Sequence, residues 1–268
     1  MRIEDARKLA EKLTGQEISY DKAWWWLRGK LKVPYRKPYP KNKKTPPNAE
    51  YILEQRLLEG IDRAVDLAIE KGYRRILIAF GDETAVQDKP NFCRTLWGTI
   101  APMPLTGRRK FYVLGAYVVD GESVAVISNT CRTGDFISLL RAVRSVNQDA
   151  VIVLVVDNAR IHIAREARRV ADELDIVLVY LPPYSPHLNP IEFVWRDCKR
   201  DLSVYVFEDR MRLFLDVFRR RACGGAYIGF VEPYVVHVRA FSRVLPVDYG
   251  FADGYMPGMG GVSVRCGM

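Results

Sequence analysis

The spacing of apolar residues divides the chain into helical stretches and short strand-like runs. Over residues 2–13, Ile3, Ala6, Leu9, Ala10 and Leu13 share one helical face, and Gly15 would end that helix. Ser19 can cap a second helix through DKAWWWLRGKL, where at least one of Trp24, Trp25 and Trp26 is expected to pack in a small core. Leu53, Leu57, Ile61, Ala64, Val65 and Ala68 repeat at helical spacing across residues 48–73, with Gly72 as the stop. The period then shortens. RRILIAFGDE reads as a strand with Asp82 near its C-terminal end. KFYVLGAYVVDG and ESVAVISN follow as two more, joined by a turn at Asp120 and Gly121.

Thr133 is the expected cap of a helix over residues 133–147 that turns Phe136, Leu139, Leu140 and Val143 inward. VIVLVVD, residues 151–157, is almost wholly apolar, the mark of a strand buried on both faces. A helix over residues 163–174 buries Ala164, Ala167, Ala171 and Leu174, and DIVLVYLP supplies another buried strand. A last helix, over residues 190–203, buries Ile191, Val194, Trp195, Cys198 and Leu202. The order is βββαβαβα, a hairpin meander followed by parallel strands joined through crossover helices. That is the strand order of a ribonuclease H-like mixed α/β sheet, preceded here by a short basic helix-turn-helix-like arm. The expected divisions are a partial DNA-binding arm with a basic linker over 1–47, a catalytic domain over 48–222, and a C-terminal extension over 223–268. Residues 207–221 of that region look helical, and the Gly-rich end is expected to be disordered.

Charge sharpens the picture at the N-terminus. Residues 1–50 hold 13 Lys and Arg against 6 Asp and Glu, so most of the chain's net +9 lies there. Arg28, Lys30, Lys32, Arg36, Lys37, Lys41, Lys43 and Lys44 follow one another without an acid, in a segment that prolines keep extended. Such a stretch suits a polyanion, most simply double-stranded DNA. The five cysteines show no CxxC spacing, which argues against a zinc site and for a reducing, cytoplasmic compartment. No apolar run is long enough for a bilayer, and no GxxxxGK[ST] stretch suggests a nucleotide cofactor.

Three acids stand where such a sheet gathers function, at the carboxyl ends of its parallel strands. Asp82 and Asp157 end strands that this topology makes neighbours, and Glu192 opens the last helix. Each has a structural reading as well. Asn189, Pro190 and Glu192 could form a capping box, and Asp157 could cap the helix after it. Glu83 should point to the opposite strand face, and Asp197 lies too far around its helix to join Glu192. Phosphodiester chemistry supplies a reason for converging acids. Two Mg²⁺ ions, with Mn²⁺ as substitute, can activate a nucleophile and stabilise a leaving oxygen, and these hard cations take carboxylate oxygens. Arg196 and Lys199 share the polar side of the last helix with Glu192 and are candidates for DNA contact.

FGDET, VVDNARIH and LPPYSPHLNPIEFVW together closely resemble the catalytic segments of DDE transposases of the mariner superfamily, in its prokaryotic insertion-sequence branch. The 34 residues between Asp157 and Glu192 are similar to that superfamily's spacing. The resemblance implies Asp82, Asp157 and Glu192 as a metal-binding triad, with Asn158 orienting a carboxylate or water and His162 touching DNA or lying in solvent. It implies cleavage at element ends, strand transfer into target DNA at TA dinucleotides, a homodimer that pairs two ends, and a nucleoid-associated location. The family usually carries a fuller N-terminal DNA-binding region, so weakened end recognition is expected. Two alternatives remain: a ribonuclease H-like nuclease without strand transfer, and a truncated remnant that only binds DNA. If about six of the N-terminal bases neutralise phosphates, the log–log salt slope of duplex binding will be about −5. A slope near zero in a fluorescence titration would remove the arm from the interface.

Overall fold

Runs too short and too β-branched for helices become the strands of one mixed sheet. A computed structural model of the chain describes residues 3–33, 44–87, 110–202, 210–222 and 262–263. Two units divide it, Met1–Lys43 and Lys44–Met268. The first holds α1 (Ile3–Thr14), α2 (Tyr20–Trp25) and a π-turn over Trp26–Lys30. The Ser19 hydroxyl accepts from the Lys22 amide at 3.2 Å, the expected cap. The tryptophan run does not form a core. Trp24 and Trp25 are 47% and 51% exposed, since two short helices lack the area to cover them. Each indole instead lies beside a cation: Trp24 by Arg28, Trp25 by Lys30 and Trp26 by Lys22.

The second unit opens with α3 (Ala49–Lys71), ended by Gly72 in the left-handed region at φ +72°. The strands are β1 (Arg75–Gln87), β2 (Lys110–Val118), β3 (Val124–Ser128), β4 (Ala150–Val156), β5 (Ile176–Tyr180) and a two-residue β6 (Val262–Ser263). Their order is β5-β4-β1-β2-β3-β6, with β1 parallel to β4 and antiparallel to β2, the ribonuclease H-like arrangement. β6 pairs with the start of β3, so these two residues of the Gly-rich end are ordered against the sheet.

The remaining helices are α4 (Thr133–Val146), α5 (Arg160–Ile163), α6 (Arg165–Glu173), α7 (Ile191–Leu202) and α8 (Arg210–Ala222). α3, α7 and α8 cover one sheet face, packing on Phe80, Val153, Val155 and Val179. α4 and α6 cover the other, on Leu77, Ala79, Ile152 and Leu154. β1 does not end at its acids, as expected, but runs to Gln87, because β2 supplies antiparallel partners as far as Lys110. The helix expected over 163–174 is broken at Ala164, whose backbone is extended (ψ 140°). Thr133 is not the cap of α4. Arg132 holds that place, and its amide donates to the Asp135 carboxylate at 2.8 Å.

Polar side chains tie the strand starts, at the end of the sheet remote from the acids. Asp175, at φ +52°, accepts from Lys71 and from the Tyr73 hydroxyl (2.5 Å). Arg144 donates to the carbonyls of Leu174, Asn147, Ala150 and Asp175. One guanidinium thus gathers four backbone acceptors at this end of the sheet.

α3 reaches the sheet closely because of Gly60. A Cβ there would lie 2.5 Å from Val179 Cγ2. In Gly60→Ala, overpacking should cost about 1–3 kcal/mol against roughly 1 kcal/mol regained in helix propensity. The expected outcome is a net loss of up to about 2 kcal/mol, read as a lower urea midpoint at unchanged slope. An unchanged midpoint would show that α3 does not pack this tightly.

Candidate active site

Strand register brings the two aspartates onto one face. The parallel pairing of β1 and β4 ends at Phe80 opposite Val155, both in the layer beneath α3 and α7. Two residues further along each strand, on that same face, come Asp82 and Asp157. On its other side β1 keeps pairing with β2, where Asp82 stands opposite Gly115. The absent side chain of Gly115 is what admits α7. A Cβ there would lie 2.5 Å from Cη2 of Trp195. The Trp195 ring, 1% exposed, stacks on Phe218 of α8 at 5.4 Å between centroids. Its Nε1–H donates to Asp82 Oδ2 at 3.0 Å. Glu192 sits one turn earlier on α7, exposed as a residue, with its carboxyl partly shielded from water.

The loop between β5 and α7 is pinned by side-chain amides. Asn158 Nδ2 donates to the Leu181 carbonyl at 2.7 Å and so holds the loop. Arg56 donates to the carbonyls of Tyr180 and Leu181. The expected capping box of α7 is not formed. Asn189 is buried and its Nδ2 donates across to the Gly81 carbonyl at 3.1 Å, beside Asp82. The helix start is closed by backbone instead, with the Glu192 amide on the Asn189 carbonyl at 3.1 Å. Asp157 does make a local bond, its Oδ1 accepting the Ala159 amide at 2.9 Å.

His162 is neither in solvent nor at a DNA-facing surface. It is 1% exposed and packs against the Phe136 ring at 4.5 Å. Its Nδ1 lies 2.7 Å from Asp157 Oδ1 and its Nε2 3.4 Å from Glu83 Oε2. The short α5, set off by the break at Ala164, holds the ring there. Glu83 points to the face opposite Asp82, as alternation requires, yet it joins the site through His162. Cys131, in the β3–α4 connection, feels the charges of Glu83 and Asp82 and is pushed up to about 11, chiefly by burial. Glu83 and Cys131 carry no pattern that would have marked them. Gly115 did carry a signal, since a glycine inside an apolar strand marks close approach.

The electrostatics follow from this crowding. Burial, then the charges of Glu192, Glu83 and Asp157, lift Asp82 to about 8. Glu192 is also raised, by desolvation and by Asp157 and Glu83, with Lys199 opposing. Asp157 goes the other way, because the His162 hydrogen bond outweighs its desolvation. Burial alone would depress His162, but its bonds to Asp157 and Glu83 prevail and hold it at about 9. Asp82 is therefore largely protonated at neutral pH, while Asp157 is ionised.

Among the described residues no trio of His, Cys, Asp or Glu side chains stands close enough to hold an ion, so there is no ready cage. The donor set still fits a hard divalent cation. It offers carboxylate oxygens, one of them forced to keep its proton for want of counter-charge, and Mg²⁺ usually takes few protein ligands. Of the bases singled out for DNA, Arg28, Lys30, Lys32, Lys44 and Arg196 are exposed and Lys199 is half-buried. Arg196 lies over the Phe193 ring at 5.0 Å. Arg36, Lys37, Lys41 and Lys43 lie outside the described residues. Asp197 is buried and paired with Arg196 and Arg200, away from Glu192's role.

A family model described as DDE superfamily endonuclease matches residues 78–213, which span all three acids. The chain belongs to the DDE superfamily of endonucleases. In sequence it is similar to the uncharacterized protein y4pE/y4sA of Sinorhizobium fredii, 35% identical over 101 residues, 37% of this chain and 73% of that one. It is also similar to the insertion element IS630 uncharacterized 39 kDa protein of Shigella sonnei, 33% identical over 90 residues, 32% of this chain and 26% of that protein. In fold it is similar to the mariner Mos1 paired end complex with Mg, with TM-score 0.54 and 16% identity over 88% of this chain and 74% of that one. The Mos1 paired-end complex with left transposon end gives 0.50 and 14%, over 92% and 80%. At these identities the solved structures show the DDE-family fold alone. No helix among the described residues is long and apolar enough to cross a membrane.

The raised Asp82 makes a signed prediction for this DDE-family site. Between its ordinary value of 3.8 and about 8, the folded chain keeps a proton that the unfolded chain has released. Stability therefore falls as pH rises through that window. His162 extends the fall from 6.5 to about 9. Without divalent ions, Asp82→Asn should flatten the decline of Tm between pH 5 and 8 and match the parent near pH 4. Parallel Tm curves for parent and variant in calorimetry would exclude a strongly raised Asp82.

Proposed function

We propose that this chain is the catalytic part of an insertion-sequence transposase that cleaves double-stranded DNA at element ends and joins them to target DNA. The observation that carries this reading is the placement of Asp82 and Asp157 on one face of neighbouring strands, with Glu192 on the helix whose Trp195 is bonded to Asp82. Gathered carboxylates favour a cation, and membership of an endonuclease family supports a nucleic-acid substrate. Bound Mg²⁺ or Mn²⁺ would activate the attacking hydroxyl and stabilise the leaving oxygen. Asp82, Asp157 and Glu192 would hold it. His162 keeps Asp157 ionised and in one orientation. Arg196 and Lys199, along the same helix as Glu192, present positive charge to the phosphate backbone.

In the first step water attacks the scissile phosphorus, the phosphodiester bond breaks, and a 3′-hydroxyl and a 5′-phosphate are left. In the second that 3′-hydroxyl attacks a target phosphodiester and displaces a new 3′-hydroxyl, so bond number is conserved. The two ends would be paired by a homodimer, and the basic residues of the N-terminal unit would add phosphate contacts.

The test is a duplex carrying the flanking terminal repeats, incubated with Mg²⁺ or Mn²⁺. Asp157→Ala and Glu192→Ala should each reduce nicking to background while retarding the duplex in a gel as the parent does. A pre-cut end should give strand-transfer products with the parent only. Nicking unchanged in both variants would defeat the assignment. Nicking without joined products would leave a nuclease.

A further inference from the structure

Trp195 joins three elements around the acids. Its Nε1–H donates to Asp82 Oδ2 of β1 at 3.0 Å. Its six-membered ring lies on Gly115 of β2, where a Cβ would stand 2.5 Å from Cη2 and 2.9 Å from Cζ2. Its other side meets Phe218 and Phe214 of α8, at 5.4 and 5.9 Å between centroids. A buried indole needs an acceptor, and a backbone carbonyl would serve. This one is given to a carboxylate of the site. On the same helix Glu192 lies three residues earlier, about 4.5 Å along the axis. The hydrogen bond is thus a direct side-chain tie between the helix bearing one acid and the strand bearing another, beside the one from Asn189 to the Gly81 carbonyl. Being directional, it favours the Asp82 orientation that presents Oδ2 to the indole. The ring itself cannot slide, because the floor at Gly115 and the aromatic wall of α8 enclose it.

Resting on the metal-dependent reading above, we propose that Trp195 is a positioning residue that sets the separation of Asp82 and Glu192 and, through it, the affinity for a divalent cation. It touches neither substrate nor cation. It acts by holding Oδ2 of Asp82 and by seating α7 on the sheet. Partners behind a ligand commonly govern metal affinity in this way, and their loss costs about 10–100-fold.

The experiment is Mn²⁺ titration of the full chain without DNA, followed by calorimetry and by loss of the free-ion paramagnetic signal. Trp195→Phe removes the N–H and withdraws the outer ring edge, Cη2 and Cζ2, from Gly115, while leaving an aromatic ring against α8. It should weaken Mn²⁺ about tenfold or more, and the Mn²⁺ concentration that half-saturates nicking should rise by the same factor. Gly115→Ala, which pushes the ring from its floor, should do likewise. Asp82→Asn is the control for the metal reading itself. In the parent chain, the ¹⁵N-indole resonance absent from Trp195→Phe should shift as Mg²⁺ is added, which a tryptophan serving only as packing would not show. Mn²⁺ affinity unchanged in Trp195→Phe but lost in Asp82→Asn would overturn the positioning role and leave the metal reading standing. No Mn²⁺ binding by the parent would overturn both. If Trp195→Phe fails to fold, the parent indole decides: a saturable shift with Mg²⁺ supports the role, and an unmoved resonance ends it.

Discussion

Carboxylates of one sign gathered in a partly dry cleft repel each other, and the chain around them must hold them against that repulsion. Much of the second unit can be understood from this requirement. β1 pairs with β4 up to Phe80 and with β2 from Ala79 to Gln87, so Asp82 stands just past the point where the β4 side opens. Asp157 leaves β4 at the same level. The third acid arrives on a helix whose own approach is guided by the missing side chain of Gly115. The cost of the gathering is visible in Asp82, which keeps its proton to about pH 8. On the proposed metal-dependent reading, a divalent cation would relieve that repulsion in place of the proton.

The two faces of the sheet divide the labour of support. On the α3, α7 and α8 face, aromatic packing of Trp195 with Phe214 and Phe218 fixes the helix that bears Glu192. On the α4 and α6 face, His162 is wedged between Phe136, Asp157 and Glu83. The imidazole reaches Asp157 from beneath the strand end, so one acid is held from each side of the sheet. This explains why the carboxyls titrate so differently although they are neighbours. Asp157 has a cationic partner at 2.7 Å, whereas Asp82 has only the neutral indole and the Glu83 amide.

Much of this was legible in the chain itself. Strand order followed from apolar periodicity, and the shared face of Asp82 and Asp157 from alternation along neighbouring strands. What was not legible depended on contacts between distant segments. Nothing local says that β1 continues to Gln87, because the reason is β2's matching run. Nothing local says that Asn189 would abandon the capping role for the Gly81 carbonyl, since both uses suit an asparagine before a helix. His162 had the spacing of a surface residue at a helix start. Only the break at Ala164 turns it inward, and an alanine there gives no warning. The tryptophan run misled for a different reason, because the small core around Ile18 and Ala23 leaves Trp26 half-buried and has no area to cover Trp24 and Trp25.

The polar knot at the strand starts has a separate meaning. Asp175, Lys71, Tyr73 and Arg144 close the end of the sheet farthest from the acids, and none of them approaches the cleft. Cohesion of the sheet and its chemistry therefore draw on different sets of residues. A change at a carboxylate of the cleft would leave this knot intact, so damage to the chemistry need not be damage to the shape.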